Sequence, residues 1–220
     1  MAVKIGVLLS GCGVFDGSEL HEAVLTLLFL QQNGAQIYCI APDMEFEVVD
    51  HRTQSPTGEK RNVLTESARI ARGEIQDLAT VSASDFDGLI LPGGFGAAKN
   101  LSNFALKGPE ADVHPEVKRI LTETVDAGKP VGAVCIAPAT VAAALADRKP
   151  EVTIGTDAGT AAAIEKTGAV HADCPVDEIR VDSHTGIVST PAYMLGPGIA
   201  DIAVGIEKLV REVVRMARKK

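Results

Sequence analysis

The stretch Lys129-Pro-Val-Gly-Ala-Val-Cys135-Ile-Ala-Pro-Ala-Thr-Val-Ala-Ala-Ala144 decides the fold. Its first half, opened by Pro130, is a short Val-rich run that reads as a buried strand, and its Ala-rich second half reads as the start of a helix. Cys135 stands on the joint. A strand that turns straight into a helix holds the joint residue in a tight bend, and the small Gly132, Ala133 and Ala137 give that bend room. The geometry is that of a nucleophile elbow with sulfur in place of the usual serine oxygen. The free N–H groups of a helix start favour thiolate and can hold an oxyanion, so Cys135 is the candidate nucleophile and should ionise below the ~8.5 of free cysteine. The competing reading is a free cysteine packed in a core.

Outward from the elbow, the pattern alternates strands and helices. Val3 to Leu9 reads as a strand buried on both faces, followed by the loop Ser10 to Ser18 and a helix from Glu19 to Gln32. Its apolar positions are Leu20, Ala23, Val24, Leu27, Leu28 and Phe29 or Leu30; Ser18 is the expected N-cap and Gly34 the stop. Ala35 to Ala41 is a second strand, and 44–61 reads as a hairpin excursion. Helical spacing recurs over 62–72, a strand over 88–91 and a helix from Pro115 to Gly128. Beyond the elbow, a short strand at 152–154, a helix over 159–166, a hairpin of 178–181 with 186–190, and a final amphipathic helix over 199–216 complete the order. This predicts a single α/β domain over residues 1–220, a flavodoxin-like three-layer sandwich with a mostly parallel central sheet. In such sheets ligands sit beyond the carboxyl ends of the strands, so loop 10–18, loop 92–100 and the elbow should meet on one edge.

At 220 residues the chain is long enough for a full core. A net charge of -8 and a pI near 5.1 argue against nucleic-acid or anionic-membrane surfaces. The only basic cluster, Arg215 to Lys220, ends a helix, where cations suit the dipole. No apolar run spans a bilayer, and the expected place is the cytoplasm, with four reduced cysteines at 12, 39, 135 and 174. Their spacing indicates neither a metal site nor a disulfide framework.

The loop Gly11-Cys-Gly-Val-Phe-Asp-Gly17 has a glycine-rich look, but Asp16, Glu19 and Glu22 would face any phosphate placed there, which disfavours a nucleotide cofactor. The same carboxyls suit acid–base work. Glu19 and Glu22 share a helix face at (i, i+3), and burial beside a thiolate would raise the carboxyl of Glu22 and keep its proton available. Acidic residues are also common in first turns for the dipole alone. His21 could reach the same place, although a lone histidine is more often structural. Gly93 and Gly94 let backbone approach a ligand, with N–H groups able to join that of Ile136 in an oxyanion hole.

Taken together, Glu22, Gly94 and Cys135 resemble the class I glutamine-amidotransferase-like superfamily in its PfpI and Parkinsonism-associated deglycase branch. More narrowly, Ser10-Gly-Cys-Gly-Val-Phe-Asp-Gly-Ser-Glu19, Pro92-Gly-Gly-Phe-Gly-Ala-Ala-Lys-Asn-Leu-Ser-Asn-Phe104, Cys135-Ile-Ala-Pro138, Thr153-Ile-Gly-Thr-Asp157 and Thr190-Pro-Ala-Tyr-Met194 are similar to ElbB-type glyoxalases over nearly the full chain. The resemblance implies a glutathione-independent lyase without a cofactor that turns glyoxal, and by extension methylglyoxal, into the hydroxy acid, with deglycase activity from the same chemistry. Cys135 would add to the aldehyde, Glu22 would shuttle the proton, and the N–H groups of Gly94 and Ile136 would hold the oxyanion. Cys12, Glu19, Gly93, Asn100, Asp157 and Tyr193 are the expected substrate contacts, and the partner is a small dicarbonyl or aldehyde. A homo-oligomer, a dimer, is expected by resemblance alone.

Two departures stand out. Protease and amidase relatives place histidine immediately after the cysteine, where this chain has Ile136. The deglycase branch has a histidine after the elbow helix, and the counterpart here is Thr156-Asp157. Two other readings stay open: a redox-sensing or protein-binding module built on an oxidisable Cys135, with Cys12 as a redox partner, and an amidotransferase-like subunit.

Overall fold

In the computed structural model, which describes residues 2–218, strand β1 (Lys4–Leu8) runs through the middle of a seven-stranded sheet. Lys219 and Lys220, the end of the basic tail, lie outside the described residues. The chain passes through helix α1 (Leu20–Gln32) to β2 (Gln36–Ala41), then makes the antiparallel hairpin β3 (Glu45–Asp50) and β4 (Ser55–Asn62) outside the main sheet. Helix α2 (Val63–Ile70) leads to the edge strand β5 (Ile75–Asp77). The chain then returns to the other side of β1 with β6 (Gly88–Leu91), the short helices α3 (Phe95–Lys99) and α4 (Phe104–Lys107), and helix α5 (Pro115–Asp126). Next come β7 (Val131–Val134), α6 (Ala137–Ala144), the small pair β8 (Glu151–Val152) and β9 (Val170–His171) flanking α7 (Ala158–Lys166), the hairpin β10 (Arg180–Asp182) and β11 (Ile187–Thr190), and α8 (Ile199–Ala217).

The order across the main sheet is β10-β11-β7-β6-β1-β2-β5, parallel throughout except for β10. This is the expected flavodoxin-like three-layer sandwich. The strand order reverses between β1 and β6, so the crevice beyond their carboxyl ends is where such a sheet takes a ligand.

The strands lack polar alternation because both faces are covered. Leu89, Leu91, Val131 and Ala133 join one cluster with Val117, Ile120 and Leu121 of α5 and the apolar residues of α6. Ile90, Val134 and Val188 join the other, with Phe29 and Leu30 of α1 and Ile206, Leu209 and Val213 of α8. Gly132 lets α8 come close, since a Cβ there would stand 2.8 Å from Leu209.

Helix α1 departs from the expected face. Leu20, Val24 and Leu28 are exposed, whereas Glu22, Ala23, Thr26, Phe29 and Leu30 are buried. Its cap also differs. Glu19 accepts from the Glu22 N–H at 2.7 Å, while Ser18 bonds the Ser10 N–H at 2.9 Å. Ser18 is therefore used to brace the end of β1, and the acid takes over the capping role.

Candidate active site

Three segments that leave the sheet on the same side build the site. The first is the loop after β1, which is laced to the loop after β6: the Glu19 N–H donates to the Gly93 carbonyl at 2.9 Å, the Phe95 N–H to that of Val14 at 2.7 Å, and the Gly96 N–H to that of Gly17 at 2.9 Å. Gly94 requires its lack of a side chain twice over. Its φ is +94°, and a Cβ would fall 2.3 Å from the Glu19 nitrogen. The third segment is the elbow. Cys135 has φ +61°, a left-handed conformation that costs a non-glycine residue about 1–2 kcal/mol. The Cys135 N–H donates to the Thr190 carbonyl at 3.0 Å, which ties the bend to the end of β11.

The Cys135 side chain lines a cavity of about 570 Å³. Behind it, fully buried, lies the carboxyl of Glu22, which shares a hydrogen bond with the sulfur. Glu22 is held by two backbone donors from different strand ends: the Gly93 N–H at 3.0 Å on one oxygen and the Tyr193 N–H at 3.2 Å on the other. Gly93 must be glycine, because a Cβ would sit 2.4 Å from both the Cys135 Cβ and the Glu22 carboxyl. The N–H groups of Gly94 and Ile136 both bond the sulfur.

Electrostatics follow from this enclosure. Burial, then the charge of Glu19, pushes the Glu22 carboxyl up to about 8, against the pull of the Tyr193 N–H, the thiol and the Gly93 N–H. Burial, then the charge of Glu22, pushes the Cys135 thiol well above its ordinary value, although the Gly94 and Ile136 N–H groups pull it back. The expectation of a thiol that ionises below ~8.5 is corrected here. Two N–H donors do not outweigh the loss of water around the sulfur and a carboxyl against it. The first proton to leave belongs to the pair, not to either residue.

Of the expected contacts, Glu19 and Tyr193 line the cavity together with Cys135, Gly94 and Ile136. His21 stands beside them, its Nδ1 2.7 Å from the Tyr193 hydroxyl and 3.9 Å from the Glu19 carboxylate. The others are placed differently. Gly93 positions Glu22 and is no part of the wall. Asn100 is buried and donates to the Ser10 and Asp16 carbonyls at 2.8 Å each, a brace for the first loop. Asp157 caps α7 by accepting from the Thr160 N–H at 2.7 Å and is not among the residues of the cavity wall. Cys12 lies among Glu66, Arg69 and Asp16, outside that wall, and is a free thiol, as is Cys135. Sequence reading missed the far wall, made by Ala98 of α3, Phe104 and Ala105 of α4 and Thr160 and Ala163 of α7. It also missed the Tyr193 backbone clamp. Among the described residues no cluster of three or more His, Cys, Asp or Glu side chains could hold a metal ion.

A parallel sheet, a switch-point crevice and a strained cysteine elbow with a buried carboxyl define a class of proteins with a DJ-1-like layout. The chain belongs to the DJ-1/PfpI family, whose model matches residues 12–173. It is 47% identical to the human glutamine amidotransferase-like class 1 domain-containing protein 3, mitochondrial, over 99% of this chain and 85% of the relative. It is 44% identical to the rat ES1 protein homolog, mitochondrial, over 98% and 85%. A crystal structure of an isoprenoid biosynthesis protein with amidotransferase-like domain from Ehrlichia chaffeensis superposes with a TM-score of 0.92 at 41% identity, covering 98% of this chain and 99% of that one. Drosophila melanogaster DJ-1beta, 18% identical with a TM-score of 0.58 over 100% and 97% of the two chains, shares the fold. The curated relatives are mitochondrial proteins, which overturns the expectation of a cytoplasmic one. No helix among the described residues is long and apolar enough to cross a membrane.

Proposed function

We propose that the protein is a glutathione-independent glyoxalase of the ElbB type that converts glyoxal to glycolate. The observation that carries this reading is the hydrogen bond between a fully buried Glu22 carboxyl and the sulfur of Cys135 at the elbow. A carboxyl with a pKa of about 8 holds its proton near neutrality and gives it up readily, as a group that must serve as both acid and base requires. Sulfur adds to the aldehyde carbon, and the oxygen takes a proton. Glu22 then removes the hydrogen on that carbon and returns a proton to the neighbouring one, leaving a thioester that water cleaves to the hydroxy acid. Glu22 is no part of the cavity wall, so it meets a substrate atom only once that atom is bonded to the sulfur beside it.

The absence of imidazole at Ile136 speaks against peptide or glutamine hydrolysis. The redox-sensor reading is weakened by the same enclosure, because oxidation follows thiolate character and exposure, and Cys135 has little of either. Incubation with glyoxal followed by proton NMR tests the proposal. Glycolate should accumulate over many turnovers with the wild type and fall by at least about 10³-fold with Cys135→Ser. Equal rates in the two proteins, or a single stoichiometric adduct with no product, would end it.

A further inference from the structure

The space in front of Cys135 is far larger than glyoxal needs. Glyoxal has four non-hydrogen atoms and fills about the room of two or three waters at ~30 Å³ each, against a cavity of about 570 Å³. Beyond the reacting end, the wall is made by Ala98, Phe104, Ala105, Ala163 and Met194, with Gly159 and Thr160 at the side of α7. Among the described residues no lysine, arginine or histidine lines the cavity; its ionisable groups are Glu19, Cys135 and Tyr193. A carboxylate or phosphate on the substrate would meet Glu19 with no cation in the cavity wall; beside that wall, Lys99 donates to the Phe15 carbonyl at 3.1 Å and His21 is bonded to the Tyr193 hydroxyl.

Gly159 adds an independent observation. It is the second residue of α7 and lines the cavity. Neither backbone nor packing demands it here: its φ is not positive, and an added Cβ would meet only the Asp157 carboxylate, at an ordinary 3.5 Å. What a bare Cα does leave at this place is room along the cavity.

Resting on the glyoxalase reading above, we propose that the preferred substrates are uncharged 2-oxoaldehydes bearing an apolar chain of about four to eight carbons, lodged against α3, α4 and α7. The reaction balances without an external oxidant. The carbon–sulfur bond forms at the aldehyde carbon. That carbon is oxidised to the acid level while the adjacent ketone carbon is reduced to an alcohol. Water then breaks the carbon–sulfur bond, releasing the 2-hydroxy acid and the thiol.

The test is a kcat/KM series over glyoxal, methylglyoxal, 2-oxohexanal and 2-oxooctanal, with 2-butanone and 2-octanone binding to Cys135→Ser followed by calorimetry. Specificity should rise about three- to fourfold for each added methylene. Ala163→Leu should cut the ratio of 2-oxooctanal to glyoxal specificity by tenfold or more. Should that variant not fold, Gly159→Leu, on the side of α7, tests the same ratio. Turnover of glyoxal with no gain along the series overturns the proposal and leaves the glyoxalase reading standing. No turnover of any aldehyde, with 2-octanone bound far more tightly than 2-butanone, removes the chemistry but supports the apolar pocket. No turnover and no chain-length dependence of binding removes both.

Discussion

Cys39 and Cys135 are 5% and 8% exposed, and burial is the leading cause that raises both thiols. Around Cys39, in the middle of β2, burial is the whole cause, and the thiol rises to about 11. Cys135 differs in what touches the sulfur: two backbone N–H groups, a carboxyl with a movable proton, and a cavity on the open side. Burial therefore does not separate an inert thiol from a candidate nucleophile. What separates them is whether the lost water has been replaced by groups that can stabilise charge.

The sharpest way to break that contrast is to neutralise the carboxyl. Glu22→Gln should lower kcat on glyoxal by about 10²- to 10⁴-fold, and wild-type turnover in that variant would move the proton-handling role elsewhere, first to Glu19. The same variant has a stability signature. The folded-state pKa of Glu22 is raised to about 8 from an ordinary 4.5, so the native state keeps a proton that the unfolded chain has released. That contribution is full below about pH 4.5 and is lost as pH rises through about 8. Glutamine stays neutral, but its amide nitrogen cannot accept the backbone N–H that one carboxyl oxygen held, so the melting temperature of the variant relative to wild type should be lowest at pH 4 and rise by several degrees by pH 8.5. A constant difference across that range, measured by calorimetry, would contradict a buried carboxyl that must ionise.

A smaller effect is expected from pH alone. Alkylation of Cys135 should be slow near neutrality and still climb about tenfold per unit through pH 9, because burial and the Glu22 charge push the thiol well above its ordinary value. Cys39 should stay unreactive over the same range. A Cys135 profile already levelling off below pH 8.5 would contradict a thiol raised by burial and a neighbouring carboxyl. The smallest effect belongs to Cys39→Ala, expected to leave kcat/KM unchanged and to lower stability by about 1 kcal/mol, the scale of one buried methyl-sized group.

The elbow, the glycine pair and the alternation of strands with helices were legible because each is written in adjacent residues. Pro130 to Ala144 carries its own switch from strand to helix, and Gly93-Gly94 directly follows an apolar run. Asn100 and Asp157 were misplaced for a physical reason. Polar residues in loops near a site look alike in sequence whether they bond backbone, as Asn100 does to Ser10 and Asp16, or cap a helix, as Asp157 does. The buried face of α1 was misread because Leu20, Val24 and Leu28 suggest an apolar face that the fold leaves outside. The thiol's titration was hidden too, since desolvation depends on α1, β6 and β11 closing around it. Helices α3 and α4 are too short to show a period, and with them went the far wall of the cavity.

The Glu22 carboxyl is gripped from two directions, by a residue just past β6 and by one just past β11, while the sulfur it touches comes from β7 between them. A nascent polypeptide acquires this arrangement only after its last parallel strand has docked. Until then it presents an ordinary thiol and an ordinary acid to its surroundings, so an unfinished copy has no assembled centre.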